Sequence, residues 1–238
     1  MGRAYEVRKA SIAKTGAAKA KIYSMYAKEI YSAAKKSPDP DANPILKRLI
    51  DKAKKDQVPS DIINRAIDKV NSGVDETYIS VRYEGFGPSS STIIIDCLTD
   101  NVNRTIGYIR GVFSKAKAKL GVLGSVSHMY DNLCVISFKG LTEEETLEAL
   151  INGEVDVSDI ELEDDIVTLY GSPTDLYKIK SAILEAKPEI VFELDEITMI
   201  PHERITLEGE DIEQFQKLLN LLDDIEDVQQ VYHNVNMD

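Results

Sequence analysis

At 238 residues, 43% of them hydrophobic and 29% charged, the chain is long enough for two or three compact units and too apolar to be wholly disordered. No apolar run reaches the roughly 18 residues that span a bilayer, and Met1-Gly2-Arg3-Ala4-Tyr5 lacks the apolar core of a secretory signal, so a cytoplasmic protein away from membranes is expected. The net charge of −13 argues against a polyanionic partner for the chain taken as a whole.

The first seventy residues read as helical. Ile22, Met25, Tyr26, Ile30 and Ala33 recur at three- and four-residue steps on one helical face. Ser37-Pro38-Asp39-Pro40-Asp41 breaks that helix with turn-forming residues. Ile45, Leu46, Leu49, Ile50 and Ala53 then form the apolar stripe of a second helix. Pro59-Ser60-Asp61 starts a third, packed through Ile62, Ile63, Ala66, Ile67 and Val70 and ended by Asn71-Ser72-Gly73. Three short amphipathic helices burying a common core make a small helical domain.

From Glu76 the period changes and β-branched and aromatic residues become frequent. Tyr78–Tyr83 and Thr92–Leu98 read as strands, with Gly85-Phe86-Gly87-Pro88 turning between them. Asp100 and Asn101 are capping residues ahead of a long helix with the seam Val102, Ile106, Ile109, Phe113, Ala116 and Leu120, closed by Gly121. A strand over Ser125–Tyr130 would complete a ββαβ unit. Next come a strand over Leu133–Phe138 and a helix capped by Thr142 with Glu145 three residues on, the spacing of a capping box. Strands over Val155–Leu162 and Ile166–Tyr170, a helix over Thr174–Ala186 and a strand over Ile190–Met199 complete the ferredoxin-like order βαββαβ. A last helix (Ile212, Phe215, Leu218, Leu219, Leu222) and a strand over Val228–His233 cannot stand alone, and they return to the interrupted ββαβ unit. The expected fold is α+β with three domains. A helical domain at 1–75 precedes two ferredoxin-like α/β domains, 76–131 plus 200–238 and, inserted in it, 132–199.

Charge is distributed unevenly along this scheme. Residues 1–71 carry 16 Lys and Arg against 8 Asp and Glu, a net +8, which leaves 12 basic and 33 acidic residues, −21, for the remainder. A basic module on an acidic body is the footprint of polyanion binding. Lys14, Lys21, Lys28 and Lys35 recur every seven residues, nearly two helical turns, and so form a stripe. Lys19 is added to this set, and Lys36 belongs with the basic group that follows. Lys47, Arg48, Lys52, Lys54 and Lys55 make a second basic helix, Arg65 belongs to the third, and Arg3, Arg8 and Lys9 form a short arm. Cations at repeating intervals can track phosphates, although a solvated face is the commoner role of such runs. Tyr23, Tyr26 and Tyr31 among them are expected to pack rather than stack on bases. Arg104, Arg110, Lys115, Lys117 and Lys119 form an auxiliary patch with no acid between Asn101 and Gly121; its last lysines also suit the negative end of a helix dipole.

No catalytic constellation emerges, and no cofactor or metal is expected. His128, His202 and His233 fall in or beside different predicted strands without metal-ligand spacing. Asp223, Asp224, Glu226 and Asp227 read as a solvated acidic turn rather than a cation site. The Gly85–Pro88 segment lacks the Gly-Lys-Ser/Thr of a phosphate loop and joins two strands, so a hairpin turn is expected. Cys97 and Cys134 read as small buried apolar side chains, consistent with a reducing compartment.

Several segments resemble the YebC/PmpR family of regulatory proteins. They are Ala20-Lys21-Ile22-Tyr23 with Ala33-Ala34-Lys35, Asp39-Pro40-Asp41-Ala42-Asn43-Pro44, and Val58-Pro59 with Asn64-Arg65-Ala66-Ile67. Further on come Tyr83-Glu84-Gly85-Phe86-Gly87-Pro88, Asn101-Val102-Asn103-Arg104-Thr105, Gly124-Ser125-Val126, Met199-Ile200-Pro201, and Asp227-Val228-Gln229 with Val231-Tyr232-His233-Asn234. The resemblance spans nearly the whole chain and implies a helical N-terminal domain followed by two α/β domains. It further implies membership of a group described as DNA-binding transcriptional regulators, and more recently as translation factors that help ribosomes through proline-rich stretches. Most members open with Gly-His-Ser-Lys-Trp and a Lys-His-Arg-Lys run. Here Gly2-Arg3-Ala4-Tyr5-Glu6-Val7-Arg8-Lys9 stands instead, and the chain has no tryptophan, which marks a variant branch.

Three functions are therefore weighed. The expected one is a non-enzymatic, nucleic-acid-binding regulator of gene expression acting on DNA. The alternatives are a ribosome-associated factor binding ribosomal or transfer RNA, and a protein-interaction scaffold. The third helix offers a sequence-reading surface only Asn64 and Arg65, which is meagre for base recognition; a basic tip on an acidic body suits RNA slightly better.

Overall fold

The computed structural model describes residues 19–73 and 75–237. It divides into two compact units, one formed by Tyr130–His202 and the other by described residues 19–129 and 203–237.

The larger unit begins with three helices, α1 (Lys19–Ala34), α2 (Pro44–Lys55) and α3 (Ser60–Asn71). Their shared core holds Tyr26, Ile30, Tyr31, Ala34, Leu46, Ala53, Ile63 and Ala66. Ile45, read as part of the α2 stripe, is instead half exposed, because it lies one residue off the face that Leu46 and Ala53 present. Asn43 joins the first two helices. Its side-chain oxygen accepts from Leu46 N at 3.1 Å as the α2 N-cap, while its amide donates to Ala33 O at 2.9 Å and Ser37 O at 2.8 Å. One buried side chain thus satisfies backbone groups at the end of one helix and the start of the next.

An antiparallel sheet follows, built from β1 (Ile79–Phe86), β2 (Thr92–Thr99), β3 (Lys119–Leu120) and, from the far side of the insertion, β8 (Val228–His233). The strand order is β3-β1-β2-β8. Helices α4 (Val102–Lys115) and α7 (Glu210–Asp223) cover one face through Ile93, Ile95, Ile109, Phe113, Phe215 and Leu218. The order is that of a ferredoxin-like sheet, with β1 in the position of the third strand although it comes first in the chain. The hairpin turn lies later than expected, since Gly85 and Phe86 still pair within β1, and it is closed by Gly87 N donating to Ser91 O at 2.8 Å.

Two local expectations fail here. Helix α4 stops at Lys115 instead of running to Leu120, because Lys117 adopts a left-handed backbone (φ 50°) and the chain turns into the two-residue strand β3. The strand expected over Ser125–Tyr130 is a loop and a short 3-10 turn at Ser127–Met129. Gly85 permits the edge pairing of β3: a Cβ there would come within 2.8 Å of Lys119 O.

The smaller unit contains β4 (Tyr130–Lys139), α5 (Glu143–Asn152), β5 (Asp159–Glu163), β6 (Ile166–Gly171), α6 (Leu176–Ala186) and β7 (Phe192–Pro201). Its strand order β5-β6-β4-β7 is the ferredoxin-like arrangement of a βαββαβ chain. The α5 capping box forms as predicted, with Glu145 N donating to Thr142 Oγ1 and Thr142 N to Glu145 Oε2. Cys97 and Cys134 are free and buried; burial pushes the Cys97 thiol up to about 12.

Candidate nucleic-acid interface

The basic residues of the helical region separate into two groups. Lys21, Lys28 and Lys35 do line one side of α1, but that side faces carboxylates. Lys21 Nζ lies 2.7 Å from Asp223 Oδ1, and Lys28 Nζ lies 3.1 Å from Asp227 Oδ1 and 3.6 Å from Glu226 Oε1. The two lysine side chains are only 15% and 12% exposed. Ser24 Oγ adds a bond to Glu226 Oε1 at 2.8 Å. Lys35 Nζ pairs with Asp75 Oδ1 at 2.6 Å and donates to Glu76 O. The phosphate-tracking stripe expected from the seven-residue spacing is therefore a seam of internal ion pairs. The spacing establishes a common face; it does not say whether water or a carboxylate meets it.

The partner of that seam corrects a second expectation. The segment after α7 is no uniformly solvated acidic turn, because Asp227 is buried at 3% exposure. Arg104 Nη2 approaches its Oδ2 at 3.0 Å, Thr105 Oγ1 at 2.8 Å and Thr99 Oγ1 at 3.2 Å. Its backbone carbonyl accepts from Leu98 N. Burial pushes the Asp227 carboxyl up, but Arg104, Thr105 and Lys28 outweigh this and hold it below the ordinary carboxylate value. Arg104, assigned to the auxiliary patch, is thus tied to Asp227 and, at 2.7 Å, to Asp100.

The second group faces outward. On α2, Lys47, Lys54 and Lys55 are exposed while Arg48 and Lys52 are half-buried. At 100° per residue these five cations surround the helix away from Leu46 and Ala53, with Asp51 as the one acid among them. Lys47 makes a solvent-exposed pair with Asp41 at 3.1 Å, an arrangement that contributes little and yields readily to a competing anion. Lys19 and Lys36 are exposed at the two ends of α1. Arg65 on α3 pairs with Asp61 one turn earlier. Arg3, Arg8, Lys9 and Lys14 lie outside the described residues. Of the tyrosines, Tyr26 and Tyr31 are buried. Tyr26 Oη donates to Asp56, and Tyr31 packs edge-on against Tyr78 at 5.9 Å.

In the auxiliary region Arg110, Lys115, Lys117 and Lys119 are exposed. On β1 stands a buried carboxylate whose role its local sequence does not announce. Glu84 is 1% exposed, and its carboxylate accepts from the amides of Gly124 (3.0 Å), Val126 (2.6 Å) and Ser127 (2.9 Å). Burial pushes this carboxyl up, yet the three amides hold it below the ordinary value. The available signal was the resemblance itself, whose segments include Glu84, Arg104, Thr105 and Asp227.

The histidines are dispersed. His202 bonds Asp131 at 3.0 Å, His128 sits 3.3 Å from Gly124 O, and His233 is held against Phe215. Among the described residues no group of three or more His, Cys, Asp or Glu is placed to hold a metal ion, and no helix is long and apolar enough to cross a membrane.

Known proteins match this chain from end to end. It is 53% identical to a probable transcriptional regulatory protein of Vibrio parahaemolyticus over the full length of both. It is 49% identical to one of Pseudoalteromonas atlantica, covering 98% of this chain and 97% of that protein. The crystal structure of a conserved hypothetical protein from Aquifex aeolicus superposes with a TM-score of 0.75 at 33% identity, over 94% of this chain and 93% of the other. Residues 3–73 match the TACO1/YebC N-terminal domain and residues 78–235 the TACO1/YebC second and third domain. The chain belongs to the TACO1/YebC family.

Proposed function

We propose that the protein is a non-enzymatic, nucleic-acid-binding regulator of gene expression whose primary contact is the outward face of α2. The observation that carries this reading is the concentration of Lys47, Arg48, Lys52, Lys54 and Lys55 around the solvent side of one twelve-residue helix. On α1, Lys21, Lys28 and Lys35 pair with Asp223, Asp227 and Asp75. Lys19, Lys36 and Arg65 extend the contact. The basic domain at 1–75 acts as the gripping module, and the acidic domains at 76–131 plus 200–238 and at 132–199 keep the rest of the molecule away from phosphate. The relatives' names, probable transcriptional regulatory proteins, support a role in transcriptional regulation.

A second reading, contact with ribosomal or transfer RNA during translation, is favoured by α3. Its Arg65 is paired with Asp61, which leaves little for a duplex-reading helix to present to base edges. Fluorescence anisotropy with labelled duplex DNA and structured RNA tests the shared claim. The variant Lys47→Gln/Lys54→Gln should weaken binding and reduce the slope of log affinity against log salt by about 1.5. An unchanged slope would remove α2 from the interface. Sedimentation of lysate with nuclease controls separates the two readings: co-migration with ribosomal subunits supports translation, and association with chromosomal fragments supports transcription.

A further inference from the structure

The sheet of the inserted domain is buried on both faces. Helices α5 and α6 cover one of them through Ile136, Phe138, Val167 and Leu169. Strand alternation turns Val135, Ser137, Thr168, Tyr170, Leu194 and Glu196 to the other, and each of these is at most 8% exposed. Val135, Tyr170, Leu194 and Ile200 form an apolar cluster there, with Leu133 at its rim. Among the described residues, no side chain from outside the sheet joins that cluster. An antiparallel sheet with one free face turns polar side chains to water. This face is apolar and dry, so it calls for a covering layer.

Edge strand β5 points the same way. Its Leu162, on the helix side, is 53% exposed, whereas Glu161 and Glu163, on the outer side, are half-buried. A strand that wets its leucine and shelters its glutamates is covered on the glutamate side. The polar groups on that face describe the cover. Ser137 Oγ is out of water with no hydrogen-bond partner, a group that asks for one from above. Asp159, Glu161, Glu163 and Glu196 share the outer face. Against them, Lys139 at the end of β4 is the one cation among the described strand residues turned that way. Carboxylates withdrawn from water are stable beside cations and costly elsewhere, so the cover is basic as well as apolar.

We propose that the outer face of the inserted sheet is the docking site of the chain's own leading segment, residues 1–18. That segment lies outside the described residues, and its composition is the one the face demands. Arg3, Arg8, Lys9 and Lys14 stand against a single acid, Glu6, and Tyr5, Val7 and Ile12 are apolar. Fully extended, it reaches about 60 Å, ample to cross four strands. Its cations meet the carboxylates of β5 and β7, and its apolar side chains close over Val135, Tyr170 and Leu194. The basic arm expected to grip phosphate is then held by carboxylates, as Lys21 and Lys28 are. The inference does not depend on the function proposed above.

Amide hydrogen exchange of the full chain, read by mass spectrometry, tests the docking. Peptides from residues 4–14 should exchange about tenfold or more below the rate of unstructured chain. Arg8→Glu/Lys9→Glu lies outside the sheet and leaves its packing intact, and it should restore fast exchange. Glu161→Lys/Glu163→Lys should do the same, and the four changes together should recover protection. Fast exchange in the wild type overturns the docking. So does protection that survives both reversals, or a combined variant that recovers none. Protection that vanishes on dilution would assign the cover to a second copy of the chain and also overturn it. In the nucleic-acid titration, Arg8→Gln/Lys9→Gln should leave the salt slope unchanged; a fall of about 1.5 would place those cations on phosphate instead and overturn the docking.

Discussion

Asp227 is the residue on which the larger unit converges. An arginine, a lysine and two threonine hydroxyls reach one carboxylate that is almost wholly out of water. Removing one partner of a buried charge cluster costs more than the cluster contributes over an apolar replacement. Asp227→Ala should therefore lower the unfolding free energy by about 3–5 kcal/mol in urea titration. Lys28→Met, which leaves Arg104 in place, should cost less than half as much.

Acid sensitivity follows from three groups acting in two windows. Burial first, and then Arg204, lower the His233 imidazole from 6.5 to about 4, and Val235 N donates to its Nδ1, so the ring is neutral in the fold. Once unfolded it protonates near 6.5, so its contribution is intact above that value and is lost as pH falls from 6.5 towards 4. Glu84 and Asp227 shift in the same direction but from lower starting values. Their carboxyls are lowered from 4.5 and 3.8, so their contribution persists above those values and disappears as pH falls below them. Melts from pH 7 to 3 should show the two declines in succession. His233→Leu should flatten the first, and Glu84→Gln should shrink the second.

At the scale of elements, α1 is held twice, by its apolar face against α2 and α3 and by its lysine side against acidic partners. Reversing charge along that side places carboxylates beside Asp223, Asp227 and Asp75. Lys21→Glu/Lys28→Glu/Lys35→Glu should consequently lower the melting temperature of the intact chain, and any loss of nucleic-acid binding should follow that loss of structure. Lys47→Gln/Lys54→Gln should leave the melt unchanged, and circular dichroism distinguishes the two outcomes. Asn43 is the corresponding polar joint between α1 and α2. Asn43→Ala deletes the cap and abandons the carbonyls of Ala33 and Ser37, at a cost of about 1–3 kcal/mol by denaturant titration.

For the whole molecule, the segregation of +8 and −21 governs how it meets a polyanion. With about five phosphates neutralised by α2, log affinity should fall against log salt with a slope of about −3.5 to −4.5. A slope near zero would sever the binding from α2. The insertion of Tyr130–His202 is compatible with a folded host because its first and last strands are neighbours, with Tyr130 opposite Pro201. The chain leaves the host and returns to it through one antiparallel pair.

Much of this was legible in one dimension. Three- and four-residue periodicity marked the three N-terminal helices and α4, enrichment in β-branched and aromatic residues marked β1 and β2, and the order of elements identified the inserted ferredoxin-like sheet, because these signals are local. Charge segregation likewise needed only counting. What only the tertiary structure decided was how each polar residue is used. Lys21 and Lys28 are indistinguishable by spacing from solvent-facing lysines until α7 brings Asp223 and Asp227 against them. Glu84 looks like any strand carboxylate until the loop forty residues later folds over it. The end of α4 at Lys115 likewise depended on Gly85 leaving room for an edge strand. Periodicity reports which face a residue occupies; the group opposite that face is set by chain separated from it by tens to hundreds of residues.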